Sequence, residues 1–465
     1  MLFSSIPFLY RFLPVVLVLY FCVPAKWKNV ILLVSSLFFY AWGEPKNVVI
    51  MMISIFSGYV FGILIEKNRE KKAGRYLCGL SVMISLGFLI YFKYVDFFIE
   101  NVNRMTGLNL KLLKIALPIG ISFFTFQIIS YTVDVARGEK AQRSFLNLAA
   151  YISMFPQLIA GPIVRYADIR EQLEKRTLHL EDAALGIRRF VIGLAKKVLL
   201  ANQLGELTAI LASHPEKSVL LYWISALAFT MQIYFDFSGY SDMAIGLGKI
   251  LGFHFLENFQ YPFIARSITE FWRRWHISLG SWFRDYVYIP MGGNRVSKLK
   301  HFRNILVVWM LTGFWHGAEW NFIFWGLFFA VILIIEKSGL LAFLKKHYVL
   351  SHIYVIFLLL ISFVLFDAKS MPDAMMTLKS MFGLSGLAFV DAGILYYLRS
   401  YGVLLGISMI ASLPVGSMLI KKANENKKAA DVIAVAEPVI LVSLMLVITA
   451  FLVDGSFNPF LYFRF

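Results

Sequence analysis

Two histidines stand where an ionisable side chain could do chemistry. His316 follows Trp315 in a Gly-Phe-Trp-His-Gly motif between two apolar stretches, and His276 lies in Trp-His-Ile-Ser within a basic segment. A neutral imidazole at membrane depth can take a proton from a hydroxyl and pass it to a leaving group. Gly313 and Gly317 leave room for a group to approach His316. We predict both histidines as candidate centres; the alternative for His316 is a structural ring bonded to a neighbouring carbonyl.

Polar side chains within apolar sequence form a second candidate group. Asp236, Tyr240 and Asp242 occur together in Asp-Phe-Ser-Gly-Tyr-Ser-Asp, and Gln157 precedes a Gly-Pro helix break. These groups could orient a histidine, bind a polar substrate or line a cavity, and a hydrogen-bonded packing network is the alternative for the aspartates. The chain contains no zinc signature, Walker loop or dinucleotide fingerprint. We predict no metal site.

A basic, aromatic-rich segment runs from Arg266 to Arg303. It contains eight Lys and Arg residues against two acidic ones. Arginine pairs with phosphate oxygens, and tryptophan or tyrosine can stack on a flat base, so the segment could receive a phosphorylated donor. The alternative is an anchor at the membrane surface. The chain matches none of the usual nucleic-acid modules. The donor-binding candidates are Arg273, Arg274, Trp275, Trp282, Arg284 and Asn294.

A helical pattern describes part of this segment. Read as one helix, it places four side chains roughly on one face and directs Arg273 and Arg274 elsewhere. Such a helix could lie at the cytoplasmic interface with its rings at headgroup depth. The four residues on the shared face are Phe271, Trp275, Ser278 and Trp282.

The composition requires a bilayer around these groups. Of 465 residues, 59% are hydrophobic and 16% charged, against about 45–50% and about 25% in soluble proteins. This excludes a cytosolic enzyme, a secreted domain and a disordered chain. We predict an all-α protein with about eleven spans and additional re-entrant pieces. The predicted spans are Pro7–Val23, Val30–Trp42, Val48–Ile65, Tyr76–Tyr94, Leu112–Val133, Val219–Phe235, Ile305–Trp315, Phe322–Ile335, Ser351–Phe366, Tyr396–Ile420 and Val432–Leu452.

The chain has a net charge of +17, and the distribution of its Lys and Arg residues between the loops predicts the orientation of the spans. If the first span runs inward, the first three cytoplasmic loops carry ten Lys and Arg residues. The intervening outer loops carry only Lys46 and Arg104, leaving aside Lys93, Lys111 and Lys114 at the span boundaries. Positive residues favour the cytoplasmic side. The amino terminus is therefore predicted to face out, with the basic loop Lys421–Lys428 inside and Asp454 outside. The simplest explanation of the positive charge is that it sets the topology and also attracts anionic lipid headgroups.

Several long motifs resemble the membrane-bound O-acyltransferase family. They are Phe-Trp-Arg-Arg-Trp-His-Ile-Ser-Leu from Phe271, Trp-Phe-Arg-Asp-Tyr from Trp282, Met-Gly-Gly-Asn from Met291 and the Trp-His-Gly motif at His316. The sequences around Gln157 and Asp236, the opening and the ending at 458–465 are similar as well. The likeness runs essentially end to end. It is nearest to the bacterial branch that O-acetylates extracytoplasmic polysaccharides such as alginate.

The resemblance implies a many-helix enzyme of one membrane domain, 1–465, with amino-terminal helices at 1–136, a catalytic core at 137–345 and carboxyl-terminal helices at 346–465. It implies a central tunnel, His316 as the catalytic histidine and His276 as the second one. The donor would be cytoplasmic acetyl-coenzyme A, with no permanently bound cofactor. The acceptor would be an extracytoplasmic polysaccharide, reached directly or through a partner acetyltransferase. The location would be the bacterial cytoplasmic membrane.

Other functions stay open on the sequence alone. Peptidoglycan O-acetylation and D-alanylation of teichoic acid share the same core motifs. A transporter of an acyl donor or of a lipid-linked sugar would also need broken helices, midplane histidines and cytoplasmic positive charge. A scaffold for an external transferase is a further possibility.

Overall fold

The regular secondary structure of the described chain is entirely helical. The computed structural model describes residues 2–455 and 460–461. Every regular element within them is an α-, 3₁₀- or π-helix, which confirms the all-α prediction. Of the ending motif at 458–465, only Phe460 and Leu461 fall within the described residues.

Seven helices are long and apolar enough to cross a membrane, within the part of the chain that the structure describes. Four more of the predicted spans coincide with helices that fail this test: Phe8–Cys22, Lys28–Gly43 and Ile121–Arg137 have fewer than 18 residues. The fourth, Lys298–His316, has 19 residues but is not among the helices apolar enough to cross. The predicted count of about eleven is therefore not confirmed. The seven helices are Asn47–Lys67, Lys72–Thr106, Val219–Ile250, Trp320–Lys346, Tyr348–Asp367, Ala392–Ala411 and Lys427–Asp454.

The chain divides into two compact units, and the first contains residues up to Phe190 together with Ser241–Leu256. A buried tyrosine links its parts: the Tyr20 hydroxyl donates to the Leu251 carbonyl at 2.6 Å, and Arg176 donates to the same hydroxyl at 2.8 Å. Its helices are Phe8–Cys22, Lys28–Gly43, Asn47–Lys67, Lys72–Thr106, Ile121–Arg137, Phe145–Ser153, Phe155–Leu158 and Tyr166–Glu174, with most of Leu180–Ala195 and the end of Val219–Ile250.

The second unit contains Val191–Tyr240 and Glu257–Phe465. Its core consists largely of leucine, phenylalanine and isoleucine, and the aromatic side chains bury a large apolar area. The carboxyl-terminal residues Phe460 and Leu461 are part of its buried interior. Its helices are Asn202–Ser213, most of Val219–Ile250, Ile268–Arg274, Ile277–Phe283, Lys298–His316, Trp320–Lys346, Tyr348–Asp367, Met371–Met381, Ala392–Ala411, Val415–Asn424 and Lys427–Asp454, together with the π-helical turns Lys196–Ala201 and Arg284–Tyr288.

The basic segment is not one helix, so that prediction is wrong. Helix Ile268–Arg274 ends, and helix Ile277–Phe283 begins after His276, whose φ of 46° and ψ of 51° are left-handed. A left-handed residue cannot continue a right-handed helix, which breaks the segment at this point. The four residues predicted to share a face are nevertheless all buried.

Candidate active site

The turn at His276 is held by hydrogen bonds to one asparagine. The side-chain oxygen of Asn258 accepts the Ser278 N–H at 3.2 Å and its hydroxyl at 2.9 Å, and the Asn258 carbonyl accepts the Ile277 N–H at 3.0 Å. Asn258 is completely buried. These bonds compensate the left-handed backbone, whose cost for a residue with a Cβ is about 1–2 kcal/mol. Asn258 could not be predicted as a partner of this turn, because no local sequence pattern connects it with His276.

The imidazole of His276 caps the helix that follows it. The Leu279 N–H donates to Nδ1 at 3.3 Å. A nitrogen that accepts a hydrogen bond carries a lone pair, so the neutral ring has its proton on Nε2. Burial lowers the pKa of His276 to about 3, and the ring is therefore neutral at physiological pH. His276 thus presents an N–H donor and not a base.

A buried glutamate positions the helix before this turn. The Glu336 carboxylate accepts the backbone N–H groups of Ile268 at 2.6 Å and Thr269 at 2.8 Å, and also the Thr269 hydroxyl at 2.6 Å. These are donors of the first helical turn, which otherwise lack partners within the helix. Glu336 is fully buried and lies 68 positions after Ile268 in the sequence. It was not predicted, because a carboxylate that caps a remote helix has no local sequence signal.

His316 ends the helix Lys298–His316 and lies in an aromatic enclosure. Its ring centroid is 5.1 Å from that of Trp315, 5.2 Å from Trp325 and 5.3 Å from Phe366. The ring of His276 lies 6.4 Å from that of His316 and perpendicular to it. The structure therefore brings the two predicted histidines together, although 39 residues separate them in the sequence.

The glycines beside His316 do not leave room for a substrate, so that prediction is wrong. A Cβ on Gly313 would collide with the Phe322 carbonyl oxygen, and one on Gly317 would collide with the Phe322 ring. A Cβ on Gly326 would meet the carbonyl oxygen of Trp309. The small residues instead let helices Lys298–His316 and Trp320–Lys346 approach closely, as small residues do in membrane proteins. This contact fixes His316 relative to Trp325.

A small cavity adjoins His316. Its volume is about 30 Å³, and its walls are almost entirely apolar. A space of this size holds about one or two water molecules, which is the scale of an acetyl group and not of a long acyl chain. The lining residues are Ile233, Asp236, Phe237, Trp275, His316, Trp325, Phe363, Phe366, Phe460 and Leu461.

A much larger cavity adjoins His276. Its volume is about 600 Å³, within the range of about 300–1,000 Å³ typical of sites for small molecules and cofactors. Three exposed cations, Arg273, Arg284 and Lys337, line it together with Trp272, Trp309 and Tyr288. Arg273 also lines a neighbouring cavity of about 610 Å³ with Arg266 and Lys345. Positive charge and aromatic surface therefore meet at the cavity that reaches His276.

The other donor-binding candidates have different positions. Arg274 lines the neighbouring cavity and forms an ion pair with Glu270 at 2.9 Å. Arg284 is paired with the adjacent Asp285 at 2.7 Å. Trp275 lines the small cavity, and Trp282 is buried. Asn294 is exposed and lines none of the cavities described above.

The candidates around Asp236 separate between the two units. Gln157 and Asp242 belong to the first unit: the Gln157 amide donates to the Tyr151 carbonyl at 2.6 Å, and Asp242 pairs with Arg189 at 2.8 Å. Tyr240 is in the second unit, where its ring packs on that of Phe460 at 5.2 Å. Only Asp236 among these residues lines the cavity beside His316.

Asp236 is one half of a buried ion pair. Lys197 Nζ lies 2.6 Å from Asp236 Oδ1, and both side chains are at least 95% buried. The other carboxylate oxygen, Oδ2, accepts the backbone N–H of Leu461 at 2.7 Å. One carboxylate therefore connects the π-helical turn at Lys197, the long helix at Asp236 and the carboxyl-terminal segment that lines the His316 cavity. The ion pair of Lys197 with Asp236 was not predicted from the sequence.

Comparison with known proteins identifies the family of this chain. Residues 103–364 match the model of the membrane-bound O-acyltransferase family. The matched region covers more than half of the chain and includes both histidines. The chain belongs to this family of membrane-embedded acyltransferases and is therefore an O-acyltransferase.

The names of its relatives refer to the acetylation of alginate and of peptidoglycan. The chain is 37% identical over the full length of both proteins to "Probable alginate O-acetylase AlgI" of Azotobacter vinelandii. It is 38% identical to the protein of that name from Pseudomonas aeruginosa, covering 94% of this chain and 88% of the relative. It is 34% identical to "Peptidoglycan O-acetyltransferase" of Helicobacter pylori, covering 83% and 81%.

Proposed function

We propose that this protein transfers an acetyl group from cytoplasmic acetyl-coenzyme A across the membrane to hydroxyl groups of an extracytoplasmic polysaccharide of the alginate type. His316 is the general base that takes the proton of the accepting hydroxyl. The acceptor is the polysaccharide itself or a partner acetyltransferase that completes the transfer. The protein resides in the bacterial cytoplasmic membrane with its amino terminus outside.

One observation carries the proposal: a large cationic cavity and a small apolar cavity are each lined by one of two neighbouring histidines. His276 lines the large cavity and His316 lines the small one, and their ring centroids are 6.4 Å apart. Coenzyme A carries several phosphate charges and an adenine, which suit the cations and aromatic rings of the large cavity. The acetyl end suits the space at His316. Transfer from a thioester to an ester is downhill, so the reaction needs no nucleotide hydrolysis.

The relatives supply two candidate acceptors. Alginate is favoured by full-length identity to the proteins named alginate O-acetylase. Peptidoglycan is the second candidate, because the protein named peptidoglycan O-acetyltransferase is 34% identical over most of both chains. Both polymers present sugar hydroxyls, so the proton transfer at His316 is the same for either.

Transfer across a sealed membrane tests the proposal. The purified protein in liposomes, with labelled acetyl-coenzyme A on the basic side and alginate oligosaccharide on the other, is expected to acetylate the oligosaccharide while coenzyme A stays on the donor side. Passage of the intact donor through the membrane would indicate a transporter instead. Peptidoglycan fragments in a parallel sample compare the two acceptors directly.

Reversing the charge of Arg273 is expected to weaken donor binding. Arg273 is exposed, lines both large cavities and has no hydrogen bond or ion pair to another residue of the described chain. A carboxylate there would repel the phosphates that the guanidinium otherwise binds. Because a charge-assisted hydrogen bond contributes about 1.5–3 kcal/mol, we expect Arg273→Glu to raise the KM for acetyl-coenzyme A at least about tenfold.

Arg295→Glu is the matched control for this substitution. Arg295 lies in the same basic segment and is exposed, but it lines neither of the cavities at Arg273. The two variants have the same net charge, so a general loss of positive potential would raise KM equally in both. An unchanged KM in Arg273→Glu would favour the membrane-anchor interpretation of the segment.

A further inference from the structure

Two buried N–H groups flank His316 without a partner. Among the described residues, neither Trp325 Nε1 nor His276 Nε2 has a hydrogen bond. Each of these side chains is 2% exposed. A buried donor without an acceptor is destabilising, and natural proteins rarely contain one without a functional reason. The centroids of these two rings lie 5.2 Å (Trp325) and 6.4 Å (His276) from that of His316.

The rest of the structure fixes both donors in place. Trp325 is packed between the rings of Phe329 at 5.2 Å and Phe366 at 5.1 Å. The neighbouring Gly326 holds its helix against the helix of His316. His276 cannot turn its proton elsewhere without losing the bond from the Leu279 N–H to Nδ1. Rigid donors beside a general base are the arrangement that stabilises a developing oxyanion.

We propose that Trp325 and His276 form the oxyanion-binding site of the transfer reaction, with the indole Nε1–H and the imidazole Nε2–H donating to the carbonyl oxygen of the thioester. This inference rests on the proposed function and assigns Trp325, a residue that no motif singled out. It also gives His276 a role different from that of a base.

His316 takes the proton of the acceptor hydroxyl as its oxygen bonds to the thioester carbon, and the electron pair of the C=O bond moves to the carbonyl oxygen. The two N–H groups stabilise this negative oxygen. When the C=O bond forms again, the C–S bond breaks, and the leaving thiolate takes the proton from His316. The products are the acetyl ester and coenzyme A.

Removing one donor tests the inference. Trp325→Phe keeps an aromatic ring but loses the N–H. In the sealed-liposome assay with acetyl-coenzyme A and alginate oligosaccharide, we expect kcat to fall about 10²- to 10³-fold, the usual effect of losing one oxyanion donor. The KM for acetyl-coenzyme A should change less than about twofold, because the bond strengthens only in the transition state.

A control separates this effect from the loss of any indole N–H. Trp223 lies in the same unit, and its Nε1–H donates to the Met381 carbonyl at 2.8 Å, away from both histidines. Trp223→Phe is expected to keep wild-type kcat and KM. If Trp325→Phe fails to fold, β-(3-benzothienyl)alanine at position 325 keeps the ring shape and replaces N–H with sulfur. It should show the same loss of kcat.

Two substitutions of His276 provide a second test of the proposed oxyanion site. A glutamine side chain places an amide N–H near the position of Nε2 but cannot act as a base. We expect His276→Gln to retain at least about tenfold more kcat than His276→Ala. Equal loss in both variants, or wild-type kcat in folded Trp325→Phe, would overturn the oxyanion site. If the wild-type protein transfers no acetyl group at all, the proposed function itself fails. If the wild-type protein is active and the variants match it, only this inference fails.

Discussion

Replacing His316 with alanine is expected to lower acetyl transfer by about 10²- to 10⁴-fold, the usual contribution of a general base. The ring is 92% buried and lines the small cavity at the end of its helix. Without it, no group takes the proton from the accepting hydroxyl at the moment of attack. The measurement is the rate of acetylation of alginate oligosaccharide in sealed liposomes.

The fold is expected to survive this substitution. Alanine is a good helix former, and His316 is the last residue of its helix, which ends at the C-cap residue Gly317. The KM for acetyl-coenzyme A should stay close to wild type, since the phosphates bind at the cationic cavity. His179→Ala, at an exposed histidine of the other unit, is the control and should leave the rate unchanged.

Two outcomes would contradict the role of His316. A His316→Ala protein with wild-type turnover would end the general-base proposal. A variant that loses donor binding and turnover in parallel would indicate that the ring shapes the cavity and does not move a proton.

The sequence was sufficient to locate both histidines but not their relationship. His316 was found because an ionisable residue inside apolar sequence is costly. Its contact with His276 depends on the left-handed turn held by Asn258 and on two helices that approach at Gly313 and Gly326. None of these features has a periodic signal, so the segment was predicted as one continuous helix.

The bounds of the predicted spans differ from those of the helices for a related physical reason. Apolar length reports where a chain tolerates lipid, but helix ends depend on capping and on local backbone. The stretch predicted from Leu112 begins as a helix only at Ile121, after Gly120 adopts a φ of 77°. In contrast, the stretches Tyr76–Tyr94 and Phe322–Ile335 were extended by flanking residues into longer helices.

The donor atoms of the proposed oxyanion site could not be predicted from the sequence. Whether an indole N–H has an acceptor depends on every atom around it. Trp325 therefore looked like one more aromatic residue in an apolar stretch. The family motifs drew attention to Trp315 and Trp275 instead, which pack against the histidines or line the cavity.

Breaking the Lys197–Asp236 pair is the second large effect that we expect. Lys197→Met leaves the Asp236 carboxylate buried without its cation, and removing one partner of a buried pair costs about 3–5 kcal/mol. The ion pair is short, and neither side chain reaches solvent to recover its hydration. The free energy of unfolding, measured by denaturant titration in detergent micelles, should fall by that amount.

Neutralising Asp236 in the same variant should restore much of the loss. In Lys197→Met/Asp236→Asn, the buried charge is gone, and the asparagine oxygen can still accept the Leu461 N–H that Asp236 accepts at 2.7 Å. We therefore expect the double variant to be more stable than Lys197→Met alone by about 1–4 kcal/mol. A double variant no more stable than the single one would show that Lys197 acts through packing and not through its charge. Because Asp236 binds Leu461, which lines the cavity of His316, we also expect Lys197→Met to lower the transfer rate. The double variant should regain that rate, which would link this ion pair to the shape of the site as well as to stability.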